Sequence, residues 1–121
     1  MSEPQRALII QDDDGIAYLL ARAFEAAGLR VDVAIDGEEG LQLASAGDYA
    51  QICVDDNLAD MNGLEIMRAL RSATYGGAVF FTSSDPDFAR IGVANGAHHA
   101  VVIPFDPVDV TARARAFTAR G

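Results

Sequence analysis

The strongest constraint on this chain is a repeated punctuation: short apolar runs that stop at polar residues, each followed by a stretch of helical period. Residues 7–10 are continuously apolar, as a strand buried on both faces requires, and end in Gln11-Asp12-Asp13-Asp14. Residues 29–35 alternate through Val31, Val33 and Ile35 and turn at Asp36-Gly37. Residues 51–55 run into Asp55-Asp56-Asn57, and residues 78–81 into Thr82-Ser83-Ser84-Asp85. Residues 100–103 lead to Pro104-Phe105-Asp106-Pro107. The first helical stripe is Ile16, Leu19, Leu20, Ala23, Phe24 and Ala27, with Tyr18, Arg22 and Glu25 outward and Gly28 as its stop. Asp13 or Asp14 is its cap. A second helix spans 38–46 with Leu41 and Ala44 inward, weakened by Gly40 by about 1 kcal/mol relative to Ala. A third spans 63–72 with Leu64, Met67 and Leu70 inward and Arg68 and Arg71 outward. The fourth, 86–94, starts at Pro86, contains Gly92 and has few large apolar residues, so it should be the least stable. The last, near 108–119, carries Val110, Ala114 and Phe117 on one face.

Strands alternating with helices, about 24 residues to the unit, predict a parallel sheet covered on both faces. Right-handed crossovers leave few topologies, and the doubly wound, flavodoxin-like α/β order 2-1-3-4-5 with five helices is the usual one at this size. Residues 1–121 are read as one domain with its core at about 6–119. In that order the first and third strands meet at the switch point, which puts Asp12 and Asp55 side by side above the sheet with Thr82 next to them. Carboxylates at strand ends suit a hard cation such as Mg²⁺, held by one or two carboxylates plus carbonyls, waters and phosphate oxygens. The competing account is a solvated turn or a helix cap, which Asp and Asn favour. One cap does not explain Asp12, Asp13 and Asp14 together.

Composition narrows the partners. Half of the 121 residues are hydrophobic and 22% are charged, so the chain folds. Nine Lys+Arg against eighteen Asp+Glu give a charge of −9, which argues against binding nucleic acid or an anionic membrane through a basic face. The one cysteine, Cys53, sits in an apolar run, so a buried thiol is expected and no internal disulfide. No apolar run approaches the ~18 residues of a membrane span, and no basic start precedes an apolar segment, so a cytoplasmic protein is expected. His98 and His99 are adjacent and should face opposite ways, as a partly exposed pair and not joint metal ligands. Arg113, Arg115 and Arg120 read as a solvated helix face. Neither a dinucleotide fingerprint nor a P-loop is present.

From Arg6 to about Phe117 the sequence resembles the receiver domains of two-component response regulators. In that family a strand-1 acidic pair, a strand-3 phosphoacceptor Asp, a strand-4 Thr or Ser and a strand-5 Lys before Pro-Phe form the site. Counting eight positions back from Gly63, the end of a turn similar to the family's, gives Asp55 as the acceptor and not Asp56. The resemblance then implies a metal-facing backbone carbonyl at Asn57 and a phosphoryl-contacting hydroxyl at Thr82. Gly96-Ala97 and Pro104-Phe105-Asp106 match the closing motif. Gln11 aligns with the first acid of the pair and Asp12 with the second, so Asp12 resembles the direct metal ligand. Gln11 can reach the metal through water but adds no charge. Ile103 stands at the Lys position, Ala59 at a Pro, and Ala100 at the aromatic or His that reports activation. The chain contains no Lys, and Arg90 is the one Arg that the pattern brings near a site loop.

The function expected is a single-domain receiver that takes a phosphoryl group on Asp55 from a histidine kinase or phosphotransfer protein. It would signal to a downstream protein target through protein contacts, as a monomer or weak dimer. Mg²⁺ would be a weak cofactor, and the protein would not be an enzyme. The alternative is a pseudo-receiver that docks partners independently of phosphate, favoured by Ile103, Gln11 and Ala100. A small Mg²⁺-dependent phosphatase is a third reading. That chemistry needs a second Asp two residues after the nucleophile, where Asn57 stands.

Overall fold

The structure, a computed structural model, describes residues 3–118. It alternates strand and helix throughout: β1 Arg6–Ile10, α1 Asp14–Ala26, β2 Arg30–Ala34, α2 Gly37–Ala46 and β3 Gln51–Asp55, then α3 Gly63–Ser72, β4 Ala78–Ser83, α4 Pro86–Ala94, β5 His99–Val102 and α5 Pro107–Thr118. The strands are all parallel, in the order β2-β1-β3-β4-β5 that the alternation predicts. Ala119, the expected last residue of the final helix, and Arg120 lie outside the described residues.

The strand period of two divides the interior into layers. Ala7, Ile9, Cys53 and Phe80 point toward α1 and α5, where Leu20, Phe24, Val110 and Ala114 meet them. Leu8, Ile10, Ile52, Val54 and Phe81 point the other way, onto Ile66, Met67 and Leu70 of α3 and the half-buried Leu41 and Ala44 of α2. Cys53 is a buried free thiol. The predicted stripes need two corrections. Leu19 is 50% exposed and does not belong to the buried face of α1. On α3, Ile66 is fully buried and Leu64 only partly so.

Gly40 has a packing reason. A Cβ there would lie 2.6 Å from Ile10 Cδ1, so the missing side chain lets α2 lie directly on β1. Gly92 serves α4 in the same way, because its Cβ would sit 2.2 Å from the Phe81 ring. Phe88 stacks on that ring at 6.0 Å, and Ala89 and Gly92 are the buried residues of the helix. The fifth strand is shifted by one residue from the expected 100–103. His99 joins it because its ring packs against Phe80 and Phe117 at 5.3 and 5.6 Å. Ile103 falls in the turn, where its N–H still donates to the Ser83 carbonyl at 2.9 Å.

The segment between β3 and α3 is fastened at both ends. Asp60 accepts the Gly37 and Glu38 N–H groups at 2.8 and 2.9 Å, so a side chain from this loop closes the N-terminus of α2. Those two bonds hold its carboxyl below the usual carboxylate range. Asn62 and Glu65 form a capping box on α3. Gly63 lies where the loop crosses the end of β3, and a Cβ there would be 2.3 Å from the Asp55 carbonyl oxygen and 3.0 Å from Asp56 Cα. Backbone cannot yield as a side chain can, so Gly63→Ala should cost about 1–3 kcal/mol in denaturant unfolding. Gly37→Ala meets side chains alone, Met61 at 2.5 Å and Asp60 Oδ1 at 3.2 Å, and should cost less. Equal losses at the two positions would contradict this account of the loop.

Candidate functional site

The site lies at the carboxyl ends of the inner strands, where an open parallel sheet leaves its crevice. Asp55 is the last residue of β3 and pairs in register with Thr82 of β4. Ile10 pairs with Val54, so the chain leaves β1 with Gln11 opposite Asp55. Asp55 is 8% exposed, Gln11 3% and Thr82 fully buried. Gln11 Nε2 and Thr82 Oγ1 each donate to Asp55 Oδ1, both at 2.9 Å. The Asn57 N–H donates to Oδ2 at 3.3 Å. Burial pushes the Asp55 carboxyl above its ordinary range, while these three donors pull it back and the charge of Asp56 adds to the rise.

Gln11 is itself held in place. Its Oε1 accepts the Asp13 N–H at 3.1 Å, and Asp13 is the residue that caps α1, accepting from Ile16 N–H at 2.9 Å. Asp12 lies between these two residues on the exposed loop, one residue beyond the level of Asp55. Asp56 turns elsewhere. Its carboxylate accepts from Ser83 Oγ at 2.8 Å, and the same hydroxyl accepts the Asp85 N–H at 3.0 Å. The adjacent carboxylates of Asp55 and Asp56 are thereby separated in role: one is buried at the switch point and the other ties the ends of β3 and β4 together.

The donor set suits a hard cation. Asp12 and Asp55 carry carboxylate oxygens on adjoining segments. The bridge between Asn57 and Asn62 is made by Leu58 N–H to Met61 O and Gly63 N–H to Asp56 O, so the Asn57 carbonyl is not consumed by it. Among the described residues no three His, Cys, Asp or Glu side chains converge as a metal cluster. A cation here would have two carboxylates, a carbonyl and water, which Mg²⁺ tolerates.

Ala100, Val101 and Val102 pair with Phe81, Thr82 and Ser83, which leaves the half-buried Ile103 just past the strand end beside the site. Arg90 is exposed on α4 and paired with Asp87. The two histidines sit at the start of β5, the opposite end of the sheet. His98 Nδ1 accepts the Val79 N–H at 3.0 Å, while His99 Nδ1 meets Arg113 Nη1 at 3.1 Å, so they do not share a ligand position. Ser83 and Asp60 were not singled out by sequence reasoning. Ser83 had a signal in the polar end of β4, whereas the partners of Asp60 lie 22 and 23 residues away.

A doubly wound sheet with a buried carboxylate and a hydroxyl facing it at the switch point defines a small α/β module with its site at the strand ends. The response regulator receiver domain family matches residues 7–115, and the chain belongs to that family. It is 36% identical over 118 residues to the transcriptional regulatory protein CusR of Escherichia coli K12, covering 96% of this chain and 52% of CusR. The chain thus spans about half the length of that relative. The receiver domain of Francisella response regulator 1452 superposes with a TM-score of 0.87 at 25% identity, over 98% of each chain. A putative response regulator of Chloroflexus aurantiacus gives 0.87 at 26% identity, over 98% of this chain and all of that one (100%). Receiver domains act in two-component signalling and are generally signalling proteins rather than enzymes. Among the described residues no helix is long and apolar enough to cross a membrane.

Burial of Asp55 has a consequence for stability. Its folded pKa is raised, so the folded state holds the proton more tightly and the ionised carboxylate opposes folding. The stabilising effect of protonation is complete below the unfolded pKa and is lost as pH rises through the folded value. Asp55→Asn, which keeps an oxygen for Gln11 and Thr82, should therefore stabilise the fold near pH ~7 and lose that advantage on acidification. Urea midpoints of the two proteins across that range check it; a gain that persists in acid refutes the assignment.

Proposed function

We propose that Asp55 accepts a phosphoryl group from a histidine kinase or phosphotransfer protein, and that the chain passes the signal to a protein target. The observation that carries this reading is the asymmetry of the carboxylate. Oδ1 is held by Gln11 and Thr82, while Oδ2 has one longer backbone contact. Oδ2 attacks phosphorus, a P–N bond of phosphohistidine breaks, and its electron pair goes to the imidazole nitrogen, which is protonated as it leaves. The buried Thr82 hydroxyl is free to exchange its bond to Asp55 for one to a phosphoryl oxygen. Asp12, Asp55 and the Asn57 carbonyl would hold Mg²⁺, which supplies neutralisation of the charge on the transferring group. Ile103 offers no charge-assisted hydrogen bond, a contact worth about 1.5–3 kcal/mol where present. The protein acts in the cytoplasm as a monomer or weak dimer, and this chain performs no other catalysis.

Ile103 also favours a second reading, a receiver fold that binds its partner independently of phosphate. Incubation with a small phosphodonor and Mg²⁺, followed by intact mass, separates the two. The wild type and Asp56→Ala should each gain one phosphoryl group, and Asp55→Ala none. No gain in the wild type would favour the phosphate-independent reading; a gain in Asp55→Ala that Asp56→Ala lacks would move the acceptor.

A further inference from the structure

Gln11 is fixed at both ends of its amide. Its oxygen accepts the Asp13 N–H, and its nitrogen donates to Asp55 Oδ1. Rotating the amide would break both bonds and set two N–H donors face to face at Asp13. At 3% exposure the side chain has almost no solvent to turn into. The orientation is therefore set by the cap of α1, and it aims a donor at the carboxylate.

The carboxylate has little left to give a cation. An sp² oxygen offers two lone-pair directions, and Oδ1 spends them on Gln11 Nε2 and Thr82 Oγ1. That leaves Oδ2, where one direction already accepts the Asn57 N–H at 3.3 Å. The direction that remains cannot both hold the cation and form the bond to phosphorus. Loading the site for transfer thus requires that Oδ1 be released by a donor. Thr82 retains a second acceptor, the Val54 carbonyl at 3.5 Å, but its bond lies on the side where a phosphoryl group would be contacted. Gln11 lies on the β1 side, next to Asp12, where the cation would be held.

We propose that Gln11 is a built-in competitor of the divalent cation: its amide occupies Asp55 Oδ1, and Mg²⁺ must displace it. This rests on the reading of Asp55 as the acceptor and adds a gate to it. The site is filled by the protein's own neutral donor until the cation concentration is high enough to take Oδ1 from the amide. The opposite role, a Gln11 that supports the cation through a bridging water, makes the opposite prediction for its removal.

Mg²⁺ titration of the full 121-residue chain by NMR tests the proposal. Gln11→Met keeps the length and removes the donor, so it should bind Mg²⁺ about 10–150-fold more tightly than wild type, the value of a hydrogen bond to a charged group. In the wild type the Gln11 side-chain NH₂ signals should move on saturation as the bond to Asp55 is lost. That second readout needs no variant and stands if Gln11→Met does not fold. Weaker binding in Gln11→Met, or Gln11 NH₂ signals unmoved at saturation, would overturn the proposal and leave the Asp55 site intact. No saturable shifts near Asp12, Asp55 and Asn57 in either protein would overturn the site reading together with it.

Discussion

The structure is organised around a carboxylate buried at the end of its central strand. Asp55 is almost withdrawn from water, and an ionised group in that position must be compensated by nearby donors. Among the described residues, no cationic side chain hydrogen-bonds to it. The compensation is wholly neutral: an amide from the loop after β1, a hydroxyl from β4 and a backbone N–H from Asn57. Each comes from a different segment, so the ends of β1, β3 and β4 are aligned by the same contacts that hold the carboxylate. Fold and site are thus coupled through three hydrogen bonds to one side chain.

The loop after β3 supplies the rigidity these contacts need. Asp60 fastens it to α2, Gly63 lets it pass against the Asp55 carbonyl, and the Asn62 capping box starts α3. Asp56 adds a tie on the β4 side through Ser83, whose hydroxyl also accepts from Asp85 at the cap of α4. That last helix buries only small residues apart from the Phe81–Phe88 stack. Its first turn is consequently linked to Asp56 by a short chain of polar contacts: carboxylate, hydroxyl, backbone N–H. A displacement of β3's end on modification would reach α4 along that chain without help from Ala100, which has no side chain long enough to relay it.

Much of this was legible in the sequence because it follows from periodicity. The apolar runs ending at Ile10, Asp55 and Phe81 gave the strands, and their order followed from right-handed crossovers. By resemblance, the count from Gly63 back to Asp55 pointed to the first of the two adjacent carboxylates, which is the one the fold buries. What escaped depended on contacts between distant segments. Asp60 looks like a loop residue until α2 is folded beside it. Gly40 reads as a helix weakness until Ile10 lies under it. Leu19 satisfies the helical stripe but falls on a part of α1 that is half exposed. The shift in β5 came from His99, a polar residue at the edge of an apolar run whose ring finds Phe80 and Phe117. In the site, Asp12 was expected beside Asp55, but register puts Gln11 there and Asp12 one residue farther along.

That register gives the departures from the family pattern a common meaning. By resemblance, a conventional site would carry an acid at position 11 and a Lys at position 103; here Gln11 and Ile103 remove one negative and one positive charge. The formal charge of the group around Asp55 is therefore unchanged by the pair, although either substitution alone would alter it by one. Unit charges about 4 Å apart interact by roughly 4 kcal/mol at an effective dielectric of 20, so an unmatched change would be felt. What the pair does change is the kind of contact. A Lys would meet the acceptor as a cation, which a bound divalent ion repels, and an acid would attract that ion. Gln11 replaces both influences with one neutral, directional donor locked by the cap of α1. Its hold on Asp55 is short-range and depends on geometry rather than on charge. It should be less sensitive to salt than an ion pair, and it yields only when something else takes the same oxygen.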